Sequence, residues 1–185
     1  VRKIKNGRGE WVTSTDVHPN RAGAHNLGLT VVDAANLEGY VRDGDGPLLI
    51  LDAEAHPWMT TEAAAKAVGG RWVAVLARNR TPIVDRADLV LPSTSWAETE
   101  GSYTSSTGEI QIALQALPAA AQARPAWQVV YRLAVHLGIE QERYVSPHIL
   151  FAEMASEVPA YSGMTWSRLA TIPPEPDQGE VSSVG

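Results

Sequence analysis

The feature that most constrains the fold is a pair of apolar segments separated by a helical segment, between residues 47 and 77. PLLILDA at 47–53 is nearly continuous in apolar residues, which is typical of a strand buried on both faces of a parallel sheet. RWVAVLA at 71–77 predicts a second such strand. Between them, TTEAAAKAVGG predicts a helix, with Glu62 in its first turn and Gly69 and Gly70 at its end. This order predicts a right-handed parallel βαβ unit.

Three further segments extend this pattern. ADLVLP at 87–92 predicts a third strand that ends at Pro92. RPAWQVVYRLAVHLG at 124–138 predicts a helix with an apolar stripe, and SPHILFAEMASEV at 146–158 predicts another. The stripe consists of Trp127, Val130, Leu133, Ala134 and Leu137. The predicted fold class is α/β, a small parallel βαβ sheet with flanking helices.

Changes in composition divide the chain into four regions. We predict a turn-rich segment at 1–29, an α/β domain at 30–144, a helical segment at 145–169 and a disordered, proline-rich acidic tail at 170–185. NGRG at 6–9 predicts a turn, and the EWVTST that follows predicts a short strand. Because the chain begins with Val1, we expect it to be a fragment or a processed piece of a longer protein.

Composition argues against several kinds of partner and site. The net charge of −6 makes a general attraction to nucleic acid unexpected. No run reaches the 18 or so apolar residues of a membrane span, so we expect no direct membrane insertion. The absence of cysteine rules out disulfides, thiolate zinc sites and iron–sulfur ligation by this chain.

The residues alone do not predict a catalytic or metal site. The five histidines have no metal-binding spacing, and the phosphate-binding glycine loops and the nucleophile elbow are missing from the sequence. Glu98 and Glu100 admit two interpretations: a carboxylate pair for acid–base work, or carboxylates that hold backbone N–H groups of the loop. We favour the second because short polar loops use carboxylates in this way more often.

The segment ADLVLPSTSWAETEGSYTSSTGEIQ at 87–111 resembles the molybdopterin oxidoreductase family. In that family a strand of the form A-D-V-V-L-P precedes a polar loop with glutamate, glycine and a T-x-T-N-x-E-G-R-x-Q segment. The matching positions are Ala87, Asp88, Val90, Leu91, Pro92, Glu98, Gly101, Thr104, Gly108 and Gln111. The resemblance implies a partial molybdopterin-oxidoreductase domain, in which the loop residues Pro92, Glu98, Gly101, Thr104, Gly108 and Gln111 are what remains of a cofactor site.

Three other segments extend the resemblance to residues 18–169. HPNRAGAHNLGL is similar to the family's N-x-x-G-A-x-x-x-G segment through Asn20, Gly23, Ala24 and Gly28. The helix at 124–138 is similar to the family's R-P-x-W helix through Arg124, Pro125, Trp127, Leu133, Ala134 and Gly138. Residues 149–169 resemble the end of the large iron–sulfur subunit of NADH:quinone oxidoreductase (respiratory complex I).

Departures from the family pattern suggest which branch to expect. Cofactor-binding relatives have a D-x-F-x-T-E-T pattern where this chain has Ala77, Asn79 and Pro82. Their asparagine, glutamate and arginine are replaced here by Ser105, Thr107 and Glu109. A site that binds guanine or ribose needs a hydrogen-bond acceptor such as a carboxylate, and a site that binds phosphate prefers arginine to glutamate. The departures therefore imply a vestigial cofactor site.

The complex I branch therefore implies a C-terminal scaffold portion of the large iron–sulfur subunit, without a cofactor of its own. It also implies iron–sulfur clusters in a missing N-terminal part, the other peripheral-arm subunits as partners, and a location on the cytoplasmic side of the inner membrane. An alternative is a piece of a catalytic molybdopterin guanine dinucleotide oxidoreductase such as a formate dehydrogenase. A free-standing interaction domain that reuses the fold is a third possibility.

Overall fold

The computed structural model describes residues 2–5, 10–14, 20–30, 39, 44–52, 60–139 and 144–170. Predictions for the tail after residue 170 and for His18 and His56 lie outside these residues. Strands β1 (Arg2–Lys5) and β2 (Trp11–Ser14) form an antiparallel pair. The strand predicted in EWVTST is thus confirmed, whereas β1 was not predicted, and the turn predicted at 6–9 lies outside the described residues.

The centre of the fold is a three-stranded parallel sheet of β3 (Leu48–Asp52), β4 (Val73–Ala77) and β5 (Leu89–Pro92), in the order β3-β4-β5. Helix α2 (Thr61–Val68) connects β3 to β4, as predicted. It ends at two glycines in the left-handed region, Gly69 at φ +53° and Gly70 at φ +77°. The predicted α/β class with a small parallel sheet is therefore confirmed.

The core lies between α2 and one face of β4. All five residues of β4 are buried, which confirms the prediction of a doubly covered strand. The buried cluster comprises Ala64, Val68, Val73, Val75, Ala77 and Ile83. Asp88 fixes the amino ends of β4 and β5, because its carboxylate accepts the Val73 N–H at 2.8 Å while its own N–H donates to the Val73 carbonyl at 2.9 Å.

The first predicted strand differs from expectation. The prediction that β3 is buried on both faces was wrong. Leu49 and Leu51 are exposed, and Leu51 keeps 51% of its surface in contact with solvent. The physical reason is position: β3 is an outer strand of the described sheet, and its Leu48 and Ile50 face the core cluster while alternate residues point away from it.

Three helices lie in the described C-terminal part of the chain. Helix α3 (Ala126–His136) follows Pro125 at its N-cap, and Gly138 at φ +74° follows its end. Helix α4 (Pro147–Glu157) begins at a proline after the N-cap Ser146, as predicted. Pro159 then opens a 3-10 turn, Pro159–Tyr161, and α5 (Trp166–Leu169) follows.

The apolar stripe of α3 is not buried as its spacing suggests. Val130, Leu133 and Leu137 are exposed, Leu137 to 68%, and α3 has no buried residue. The helix itself is as predicted, but the surface that its stripe would cover is absent from the described part of the chain.

Candidate functional site

Much of the polar segment after Pro92 is regular structure rather than loop. A 3-10 turn at Trp96–Glu98 leads into β6 (Gly101–Thr104), which pairs in antiparallel fashion with β7 (Ile110–Ala113). The prediction of one long loop was therefore wrong for this hairpin. Its strands are short, and the first of them, GSYT, lacks the apolar alternation that identifies a strand.

Glu98 holds the backbone of the segment that precedes the hairpin. Its Oε2 accepts the Ser95 N–H at 2.8 Å, and its Oε1 accepts the Ala120 N–H at 2.9 Å. Ser95 and Glu98 form a capping box around the 3-10 turn. The interpretation of Glu98 as a backbone-holding carboxylate is confirmed, whereas Glu100 lies 3.6 Å from His148 Nε2 instead of sharing a site with Glu98.

Hydrogen bonds to the charged form control the acidity of Glu98. The Ser95 backbone and side chain, then the Ala120 backbone and the charge of Arg78, lower the pKa of the Glu98 carboxyl, although partial burial opposes them. A carboxyl with a lowered native pKa stabilises the fold at neutral pH, and this contribution is lost as the pH falls through that native pKa.

The Glu98→Gln variant should therefore be less stable than the wild type at pH 7, and the difference should shrink as the pH falls below about 4.3. Thermal melts of both proteins between pH 7 and pH 3 measure this. Glu157→Gln, which alters an exposed side chain at the end of α4, is the matched control and should leave the melting temperature nearly unchanged at pH 7. A Glu98→Gln difference that stays constant with pH would contradict the assignment.

Thr104 joins three distant parts of the chain. Its N–H donates to Asn20 Oδ1 at 2.9 Å, and its buried hydroxyl lies 3.2 Å from the Tyr161 hydroxyl. Asn20 is the N-cap of helix α1 (Arg21–Asn26), and the nearby Gly23 is buried. We call Asn20, Gly23, Thr104 and Tyr161 the Thr104 junction; it connects two motifs of the family resemblance to the C-terminal segment.

The other predicted loop residues do not converge on one cavity. The Pro92 carbonyl accepts the Arg124 N–H at 3.3 Å, and Gly101 begins β6 opposite Ala113. Gly108 adopts φ +85° in the hairpin turn, a conformation that favours glycine. Gln111 is exposed on β7. Their assignment as remnants of a cofactor site stays a prediction.

The three departures in the hairpin bond to one another. The Ser105 hydroxyl lies 2.8 Å from the Thr107 hydroxyl and accepts the Glu109 N–H at 3.1 Å. Thr107 Oγ1 donates to Glu109 Oε2 at 3.3 Å. These side chains therefore stabilise the turn between β6 and β7.

A cleft of about 440 Å³ opens at the carboxyl ends of β4 and β5. This edge is where parallel α/β sheets bind ligands. The lining residues are Ala77, Arg78, Asn79, Arg80, Val84, Asp85, Val90 and Pro92. Sequence reasoning named Ala77 and Asn79 as departures but missed Arg78 and Arg80, although the R-N-R run directly after a buried strand was a usable signal.

The cleft is rich in hydrogen-bond donors. Arg78 Nε is buried and has no hydrogen-bond partner. Arg80 Nε donates to Asp85 Oδ1 at 2.7 Å in an exposed ion pair at the rim. Arg78 brings a positive charge to the cleft lining, which suits an anionic ligand, while its Nε is buried.

The described residues show no metal centre of their own. No cluster of three or more histidine, aspartate or glutamate side chains that could hold an ion occurs among them. Within the same residues, no helix combines the length and the apolar character needed to cross a membrane.

Comparison with known proteins supports the family resemblance. Residues 55–135 match the sequence profile of the molybdopterin oxidoreductase family. The chain is 39% identical to F420-dependent formate dehydrogenase 2 subunit alpha of Methanococcus maripaludis over 84 residues. These residues are 45% of this chain and 12% of that protein. Over 83 residues, 45% of this chain, it is 35% identical to a putative formate dehydrogenase of Bacillus subtilis, covering 8% of that protein.

A further relative is F420-dependent formate dehydrogenase subunit alpha of Methanocaldococcus jannaschii, 32% identical over 84 residues, or 45% of this chain and 12% of that protein. The match thus spans only about a tenth of the length of these relatives. The matched residues include β4 and β5 of the parallel sheet, so this part of the chain is similar to part of a molybdopterin oxidoreductase. The relatives support the formate dehydrogenase alternative, and they give no support to the complex I interpretation.

Proposed function

We propose that this chain is part of the catalytic subunit of a molybdopterin oxidoreductase of the formate dehydrogenase type. The observation that carries the proposal is the position of the cleft. The segment that matches the family, 55–135, contains both strands whose carboxyl ends form the cleft, and formate dehydrogenases of three organisms align with the chain over a stretch of similar length.

The cleft residues fit one part of a molybdopterin guanine dinucleotide. Arg78, Asn79 and Arg80 would hold the phosphate-bearing portion, because all three line the cleft and a guanidinium matches phosphate oxygens. When bound, the cofactor supplies the two-electron redox chemistry. The chain itself positions one end of it, while the Thr104 junction and Glu98 fix the neighbouring hairpin and turn.

The prediction of a vestigial cofactor site rests on the departures at Ala77, Asn79 and Pro82 and in the hairpin; among them, the missing carboxylate at position 77 concerns the cleft directly. The structure has no carboxylate at position 77, because Ala77 is a buried core residue that also lines the cleft. This absence removes one acceptor for the base without closing the cleft or removing its donors. The peripheral-arm partners, the iron–sulfur clusters in another part of the protein and the location at the inner membrane stay predictions.

The test uses the intact parent protein. Metal analysis should find molybdenum in the parent protein. The parent protein should also catalyse the reduction of an artificial electron acceptor by formate. A parent without molybdenum that purifies from solubilised membranes with a flavin-bearing, NADH-oxidising subunit would refute the proposal and restore the complex I interpretation.

A further inference from the structure

Trp96 lies at the surface, beside a second exposed segment of the chain. It is 67% exposed and begins the 3-10 turn at Trp96–Glu98. The carbonyl oxygen of the next residue, Ala97, accepts the N–H groups of both Ala116 and Leu117 at 2.9 Å. The turn and the segment around residue 117 are therefore joined through their backbones, and their exposed side chains share one region of the surface.

The segment that bonds to this turn is exposed and uncharged. Every residue from 114 to 122 is exposed, and residues 114–123, LQALPAAAQA, include no charged side chain. Leu114 and Leu117 each keep more than half of their surface in contact with solvent. We call Trp96, Leu114, Leu117, Pro118 and Ala119 the Trp96 patch. An exposed apolar surface of this kind is typical of a site that contacts another protein surface.

Hydrogen bonds hold the patch in one shape. Gln115 Nε2 donates to the Leu117 carbonyl at 2.9 Å, and Glu98 Oε1 accepts the Ala120 N–H at 2.9 Å. The Glu98 carboxylate is itself fixed, because its other oxygen accepts the Ser95 N–H. Since this backbone is already ordered, contact with a partner surface costs little further entropy.

The composition of the patch indicates the kind of partner that it fits. Permanent interfaces are more apolar than transient ones, and tryptophan is among the residues that contribute most to binding. In two of the formate dehydrogenase relatives the matched stretch is 12% and 8% of the protein. Most of a subunit of that type therefore lies outside the stretch, and as part of the same polypeptide it is a permanent neighbour.

We propose that the Trp96 patch is the contact site for an apolar, uncharged surface of the same polypeptide, formed by residues of the parent protein outside these 185. The inference rests on the proposed function, because it requires the chain to be part of a longer catalytic subunit. It names the partner of a surface whose residues do not belong to the cleft lining.

Site-specific crosslinking in the intact parent protein tests the inference. A photoreactive benzophenone amino acid replaces Leu117, and irradiation is followed by denaturing electrophoresis and mass spectrometry of the crosslinked peptides. The product should keep the mass of one parent chain, and residue 117 should be joined to a peptide outside the 185 residues. Because Leu117 is exposed, the replacement should not disturb folding; Leu114 is a second position that serves the same purpose.

The matched control carries the photoreactive residue in place of Glu157, an exposed, charged position at the end of α4. The yield of crosslinked peptide there should be several-fold lower than at Leu117. Equal yields at the two positions would overturn the inference. So would a product with the mass of two chains, a crosslink to a separate subunit, or a crosslink from residue 117 to another part of these 185 residues.

The crosslink and the proposed function fail separately. Molybdenum content and formate oxidation are measured on the parent protein without the photoreactive residue. A parent protein that contains molybdenum and oxidises formate, but gives no crosslink from Leu117 or Leu114, refutes this inference alone. A crosslink within one chain in a parent protein without molybdenum refutes the proposed function alone.

Discussion

Replacing Phe151 with alanine should lower the free energy of unfolding by about 3–5 kcal/mol. Phe151 of α4 is only 3% exposed, and its ring packs edge-to-face against Tyr161 and Trp166, with centroid distances of 6.2 and 5.9 Å. Removing the ring leaves a cavity between α4, the Pro159–Tyr161 turn and α5, and it loses both aromatic contacts.

Urea unfolding followed by tryptophan fluorescence measures the effect. Phe151→Leu is the control, because it keeps most of the buried volume and should cost less than about 1.5 kcal/mol. If the alanine and leucine variants lost the same stability, the loss would come from the edge-to-face ring contacts, and the expected cavity cost would be contradicted.

Gly23→Ala should destabilise the chain by about 1–3 kcal/mol. A Cβ at position 23 would clash with Asn20 Oδ1 and would lie 3.1 Å from Thr104 Oγ1. The Asn20 side chain would have to swing away, and the Thr104 N–H would then lose its acceptor at the Thr104 junction.

Gly101→Ala is the matched control, since a Cβ at that strand position meets no atom within 4 Å. Its melting temperature should equal or slightly exceed that of the wild type, because alanine restricts the unfolded chain more than glycine does. A Gly23→Ala protein as stable as Gly101→Ala would show that the Asn20–Thr104 hydrogen bond is dispensable.

Local signals in the sequence predict a large part of this fold. Apolar runs identify β3, β4 and β5, and the proline and glycine positions locate α3 and α4. The Ser95–Glu98 interaction is also local, three residues apart, so the backbone-holding role of Glu98 could be inferred from loop chemistry alone.

Features that depend on distant residues could not be read in this way. Thr104 meets Asn20 across 84 residues and Tyr161 across 57, and no local pattern encodes either pairing. The exposure of β3 and of the α3 stripe likewise depends on which elements pack against them. Their apolar spacing predicts only which face would be buried if another element covered it.

The choice between branches of the family shows a different limit. The substitutions at Ala77 and Glu109 suggest a loss of cofactor binding, yet the structure retains a cleft at the end of β4 with two arginines in its lining. A motif comparison scores each position against a pattern, whereas ligand binding depends on the full set of donors that the fold brings together.

The Thr104 junction also determines the order in which this chain can complete its fold during synthesis. The β3–α2–β4 unit involves neighbours in sequence and can close as soon as it leaves the ribosome. The Thr104–Asn20 bond must wait for the hairpin, and the Tyr161 hydroxyl arrives 57 residues later still. Until then the Thr104 hydroxyl lacks its contact with Tyr161, so a nascent chain that stalls before residue 161 has an incomplete junction.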